Sequence, residues 1–175
     1  MQTYVINLYG GPCCGKSTVA AGLFYELKCA GFECELTGEY AKDIVWDENL
    51  EVLNNQPFIF GQQLHRIWRL NNKVEIIVCD SPILLSIIYS KENSELFEEF
   101  IVEQHNKYNN INFILDRSVK YDNIGRNETE EEAIKLDNKL IDIMKKYNIS
   151  YTNVIGDSKT KVDKILKHLK LINVI

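Results

Sequence analysis

With 175 residues and a formal net charge of −5, the chain suits a single domain over residues 1–175, and its acidic balance argues against a nucleic-acid wrapper and fits an enzyme of small molecules. No apolar run is long enough to span a bilayer, and no basic segment with a cleavage site precedes the first strand-like run, so a cytoplasmic protein without a membrane partner is expected. Five cysteines, Cys13, Cys14, Cys29, Cys34 and Cys79, are odd in number and match no zinc spacing, which points to reduced thiols rather than a disulfide framework.

The first predicted element is a strand over Thr3–Tyr9, an apolar and β-branched run. It leads into Gly10-Gly11-Pro12-Cys13-Cys14-Gly15-Lys16-Ser17-Thr18, which matches G-x-x-x-x-G-K-[ST] in full. A helix over Ser17–Cys29 follows, with Gly31 suited to its exit. Strand, glycine loop and helix in that order argue against a chance match. The glycines let backbone N–H groups turn inward around a polyphosphate, and the helix aims its positive end at the same anion. Lys16 can reach the β- and γ-phosphates and the Ser17 hydroxyl can ligate Mg²⁺. Residues 10–18 are therefore the candidate nucleotide loop, with ATP and Mg²⁺ the expected cofactors. Cys13 and Cys14 are adjacent inside the loop, and tolerance of small residues at variable loop positions is the simpler reading than a redox pair.

The second strand, Glu33–Thr37, ends at Gly38-Glu39. Glu39 lies where an acceptor would face the γ-phosphate, and a carboxylate there can accept or orient a hydroxyl proton. A carboxylate that merely favours the following helix N-terminus is the structural alternative. Helices are predicted around Tyr40–Leu53 and Pro57–Leu70. On the latter, Gln62 or Gln63 could pair with a base edge, and Arg66 and Arg69 share a face. An amphipathic helix burying Leu64, Ile67 and Trp68 explains the same pattern, and both readings stay open. His65 has no nucleophile beside it and reads as structural.

The third strand, Val74–Cys79, ends at Asp80-Ser81-Pro82. Asp80 so placed can hold Mg²⁺ directly or through water; alternatively it caps the helix starting near Pro82. Helices over Leu84–Tyr89 and Glu95–Asn106 come next. A fourth strand, Ile111–Leu115, opens onto Asp116-Arg117, and the loop beyond carries Tyr121, Gly125 and Arg126. Two of the chain's four arginines, Arg117 and Arg126, thus bracket one strand-end loop, which predicts a lid over about residues 117–128 that closes on a transferring phosphoryl group. Tyr121 is a candidate substrate contact in that lid. The acidic run at 128–132 starts a helix to Lys146, and strand Tyr151–Ile155 and helix Thr160–Leu171 complete the pattern. The alternation predicts an α/β fold in three layers, a parallel sheet between two helical faces, with ligands at the carboxyl ends of the strands.

On GGPCCGKST, the glutamate of GEYAK, DSP after the third strand and DRSVKYDNIGR before an acidic helix, the whole chain resembles the P-loop kinases of nucleosides and nucleotides. It is similar to the deoxynucleoside kinase and thymidylate kinase group, and to the ribosylnicotinamide kinase-like ATPases often encoded by bacteriophages. The resemblance implies a five-stranded parallel sheet in the order 2-3-1-4-5, Lys16 and Ser17 on phosphates and Mg²⁺, Glu39 near the acceptor, and arginines in the lid. The chain departs from the deoxynucleoside kinases at Asp80-Ser81-Pro82, which lacks an arginine after the acidic residue. A monophosphate acceptor would draw on Arg66 or Arg69, and a nucleoside acceptor on Glu39 as base. The expected activity is ATP- and Mg²⁺-dependent phosphoryl transfer to a nucleoside or nucleoside monophosphate, with a homodimer as the candidate assembly. Two alternatives use the same core: a kinase of a polynucleotide or modified-base hydroxyl, and a nucleotide-gated binding module.

Overall fold

The computed structural model describes residues 2–90, 94–117 and 130–175. Five strands, β1 (Tyr4–Tyr9), β2 (Cys34–Thr37), β3 (Ile76–Cys79), β4 (Asn109–Leu115) and β5 (Thr152–Val154), form one sheet. Every pairing is parallel and the order is β2-β3-β1-β4-β5, as the resemblance implies. The glycine loop leaves β1 at the centre of this sheet, between β3 and β4, so residues ending all three strands converge on it.

Successive residues of a strand face opposite sides, and β1 shows how two cores result. Val5 and Tyr9 pack with α3 (Gln56–Trp68), α4 (Leu85–Tyr89), α5 (Glu95–His105) and α6 (Glu130–Lys146), through Phe60, Ile87, Ile101 and Met144. Ile6 and Leu8 pack with α1 (Lys16–Cys29) and α7 (Ser158–Leu171), through Leu23, Leu27, Ile165 and Leu169. Among the described residues no helix is long and apolar enough to cross a membrane.

Three departures from the sequence expectation have local causes. β4 begins at Asn109 rather than Ile111, because its polar start is bonded across the sheet: Asn7 Nδ2 donates to Asn110 Oδ1 at 2.8 Å and Asn112 Oδ1 at 3.0 Å. Those bonds satisfy amides that hydropathy alone counts against a buried strand. The helix expected over Tyr40–Leu53 is two elements, α2 (Tyr40–Trp46) and a 3₁₀ turn at Leu50–Asn54. Glu48, at φ 56°, ends α2 with N–H bonds from Glu48 to the Val45 carbonyl and from Asn49 to the Ile44 carbonyl, a left-handed cap that Gly31 makes after α1. The last helix starts two residues early, at Ser158, because the Asp157 carboxylate accepts the Thr160 N–H at 2.7 Å.

His105, at the end of α5, is 3 % exposed, and burial pushes its imidazole down to about 4. The unfolded chain takes up a proton near pH 6.5 and the folded chain resists it. Stability is therefore full above about pH 6.5 and falls as pH drops toward 4, by up to about 3 kcal/mol from this group. Urea midpoints measured from pH 7 to 4 should fall more steeply in the wild type than in His105→Asn; parallel profiles would remove His105 as the cause.

Candidate functional site

Backbone geometry makes the glycine loop a cradle. Gly10 has φ 140°, and a Cβ there would lie 2.5 Å from Cys14 Sγ and 3.1 Å from the Leu115 carbonyl. Gly15, at φ 83°, is the N-cap of α1 and supplies no side-chain cap, and the first turn holds no acidic residue. The helix's first N–H groups and its positive end are thus left for an anionic ligand. Lys16 lies back along the loop, its ammonium donating to the Gly10 carbonyl at 2.7 Å and the Gly11 carbonyl at 3.1 Å. Burial alone would lower its pKa, but the charges that Cys14, Glu39, Tyr89 and Asp80 carry when ionised outweigh burial and raise it. Lys16 is therefore a fixed cation at every working pH.

A cavity of about 490 Å³ opens in front of this loop. Lys16, Ser17 and Thr18 form one end, Glu39 stands in its wall, and Val45, Leu53, Ile59 and Leu85 give it an apolar side. Glu39 stands at the N-cap position of α2, two residues past the end of β2, and its carboxylate makes no capping hydrogen bond. Its backbone neighbours are held by Gln63: the side-chain carbonyl accepts the Tyr40 N–H at 3.1 Å and the amide donates to the Gly38 carbonyl at 3.1 Å. Gln63 lines the cavity and is buried, so as folded its amide fixes Glu39 instead of standing open to a base. Gln62, half-buried one position earlier, does not line the cavity.

The two arginines of α3 and its end do not face the cavity either. Arg66 pairs with Asp43, donates to the Gly38 carbonyl at 3.2 Å and lies 5.3 Å over the Tyr40 ring, so it braces the turn from β2 into α2. Arg69 is exposed at the end of α3. Asp80, at the end of β3, is 6 % exposed, and its Oδ1 has no hydrogen-bond partner. Arg117, expected in the lid, contacts Pro12 and Asp137 and does not line the cavity. Tyr121, Arg126 and the rest of the expected lid lie outside the described residues. Cys13 lines the cavity, Cys14 is packed into the α1–α7 core, and burial pushes the Cys79 thiol up to about 12, which leaves it inert at neutral pH.

The structure adds residues that motif reading missed. Lys42 and Trp46 of α2 line the cavity with Glu39, and Trp46 is 71 % exposed at its rim. Positions 39, 42 and 46 are spaced three and four apart, which puts them on one helical face; that spacing was the available signal. Asp137 and Lys161 touch the loop from α6 and α7, and no local pattern marks them.

A family model described as an AAA domain matches residues 5–161. No curated protein sequence matches the chain. Among solved structures, thymidylate kinase from Ehrlichia chaffeensis is similar at 17 % identity and a TM-score of 0.66, over 97 % of this chain and 100 % of that one. Deoxyadenosine kinase from M. mycoides, with products dCMP and a flexible dCDP bound, is similar at 18 % identity and a TM-score of 0.55, over 96 % of this chain and 99 % of that one. The same enzyme with bound dATP gives 17 % and 0.57, over 97 % and 100 %. At such identities the likeness shows a shared fold.

Proposed function

Because the chain belongs to the AAA domain family of P-loop proteins, we propose that it is an ATP- and Mg²⁺-dependent phosphotransferase acting on a nucleoside or a nucleoside monophosphate. One observation carries the reading. The phosphate-loop residues Lys16 and Ser17 share a single cavity of about 490 Å³ with Glu39 and an apolar wall. Hydrolysis alone needs room for water beside the γ-phosphate, whereas this cavity accommodates an organic acceptor. The fold shared with deoxyadenosine kinase and thymidylate kinase supports the same choice.

In this mechanism the loop amides and Lys16 hold the β- and γ-phosphates and neutralise charge on the transferring group. Glu39 accepts the proton of an acceptor hydroxyl as its oxygen bonds to the γ-phosphorus, and ADP leaves. Gln63 keeps Glu39 in place by bonding the backbone on both sides of it. Ser17, which lines the cavity, and Asp80, which does not but whose buried Oδ1 has no hydrogen-bond partner, both offer oxygen to a hard divalent cation. Mg²⁺ bound there would neutralise phosphate charge. Among the described residues no group of three or more His, Cys, Asp or Glu is arranged for a metal, so its other ligands would be phosphate oxygens and water.

The test is ADP release from ATP and Mg²⁺ against a panel of nucleosides, deoxynucleosides, their monophosphates and nicotinamide riboside. Stimulation by one class establishes the transfer and fixes the acceptor. Flat release across the panel, with ATP bound, would overturn the small-molecule acceptor.

A further inference from the structure

Two cations from distant parts of the chain take hold of the phosphate loop from behind. Arg117, two residues beyond β4, donates to the Pro12 carbonyl and is itself held by Asp137 of α6 at 2.6 Å. The same carboxylate accepts the Gly11 N–H. Lys161 of α7 is fully buried; its ammonium donates to the Cys14 carbonyl at 3.2 Å and the Asp116 carbonyl at 2.7 Å, with the Asp116 carboxylate at 3.1 Å. The carbonyls of residues 12 and 14 are thus each bonded to a cation.

A trans peptide is planar, so its C=O and the N–H of the next residue point in opposite directions. The described residues contain no cis peptide bond. Drawing the Pro12 carbonyl back toward Arg117 turns the Cys13 N–H forward, and drawing the Cys14 carbonyl back toward Lys161 turns the Gly15 N–H forward. Pro12, Cys13 and Gly15 line the cavity, while Cys14 does not. We propose that Arg117 and Lys161 are positioning residues that set these two peptide planes, so that the N–H groups of Cys13 and Gly15 face a polyphosphate before it arrives. The inference rests on the reading of residues 10–18 as a phosphate site. Without the clamps the Gly15 and Cys13 planes are free to rotate, and the reorganisation is then charged against binding.

The experiment follows the ¹H–¹⁵N resonances of Cys13 and Gly15 in the full chain as inorganic tripolyphosphate and Mg²⁺ are added, with titration of ATP alongside. Both resonances should move in the wild type. Lys161→Met should abolish the Gly15 shift, keep that of Cys13, and weaken tripolyphosphate and ATP by about 10- to 100-fold, the range for hydrogen bonds to a charged group. Arg117→Met should do the converse. If Lys161→Met does not fold, the Lys161→Met/Asp116→Asn pair removes the carboxylate left without its cation and carries the same expectation. Wild-type affinity and both shifts in the variants would overturn the proposal. So would equal loss of both shifts in each variant together with a lower urea midpoint, which marks a general structural role. A wild type that folds and binds neither probe would remove the phosphate-site reading itself, and the clamps with it.

Discussion

Glu39→Gln is expected to leave ATP affinity unchanged and to slow transfer to a nucleoside hydroxyl by about 10²–10⁴-fold, the usual contribution of a positioned general base. The substitution keeps shape and length. Its backbone setting also survives, because Gln63 bonds Tyr40 N–H and the Gly38 carbonyl whichever side chain stands between them. The loss should therefore appear in kcat with little change in the KM for ATP. A monophosphate acceptor attacks through an oxygen that is already anionic, so the same variant should then lose less than about tenfold, far below the general-base range. Comparing the variant's kcat on a nucleoside and on its monophosphate checks both arms. Full activity on every acceptor would return Glu39 to a helix-start carboxylate.

Lys16→Ala is expected to weaken ATP by about 10- to 100-fold, because it deletes the charged donor beside the loop carbonyls. Transfer should fall further than binding, since charge on the phosphoryl group is redistributed in the transition state. Lys16 stays charged throughout neutral and mildly alkaline pH, because its anionic neighbours raise its pKa. The wild-type pH profile between 6 and 9 should accordingly owe nothing to this residue. Calorimetric titration of ATP into wild type and variant checks the first claim; equal affinities would remove Lys16 from the phosphate site.

The parts of this site that could be read from the sequence are the local ones. The glycine loop is nine consecutive residues whose spacing is its chemistry, and the strands around it are apolar runs. The rule that ligands sit at strand ends points to Glu39 and Asp80, and both stand just past strand ends in the structure. What escaped depends on distance along the chain. Arg66 reads as a free cation until Asp43, 23 residues away, is seen to pair with it. Gln63 reads as a base-recognising amide until the β2–α2 turn is seen to use both its ends. Lys42 and Trp46 lie within a pattern that reads as one helix to Leu53, and only the left-handed Glu48 shows where that face stops. The buried amides Asn7 and Asn112 and the half-buried Asn110 count against a strand one at a time and support one together.

The hydrogen bond from Lys161 to the Cys14 carbonyl joins residues 147 positions apart. A ribosome adds about 5–20 residues per second, so the two partners are made on the order of ten seconds apart. The glycine loop is made before α7, and the Cys14 carbonyl lacks the Lys161 ammonium until α7 has emerged and docked. If residues 10–18 hold a polyphosphate as proposed, a nascent chain that has not yet exposed α7 should bind it more weakly than one in which α7 has docked.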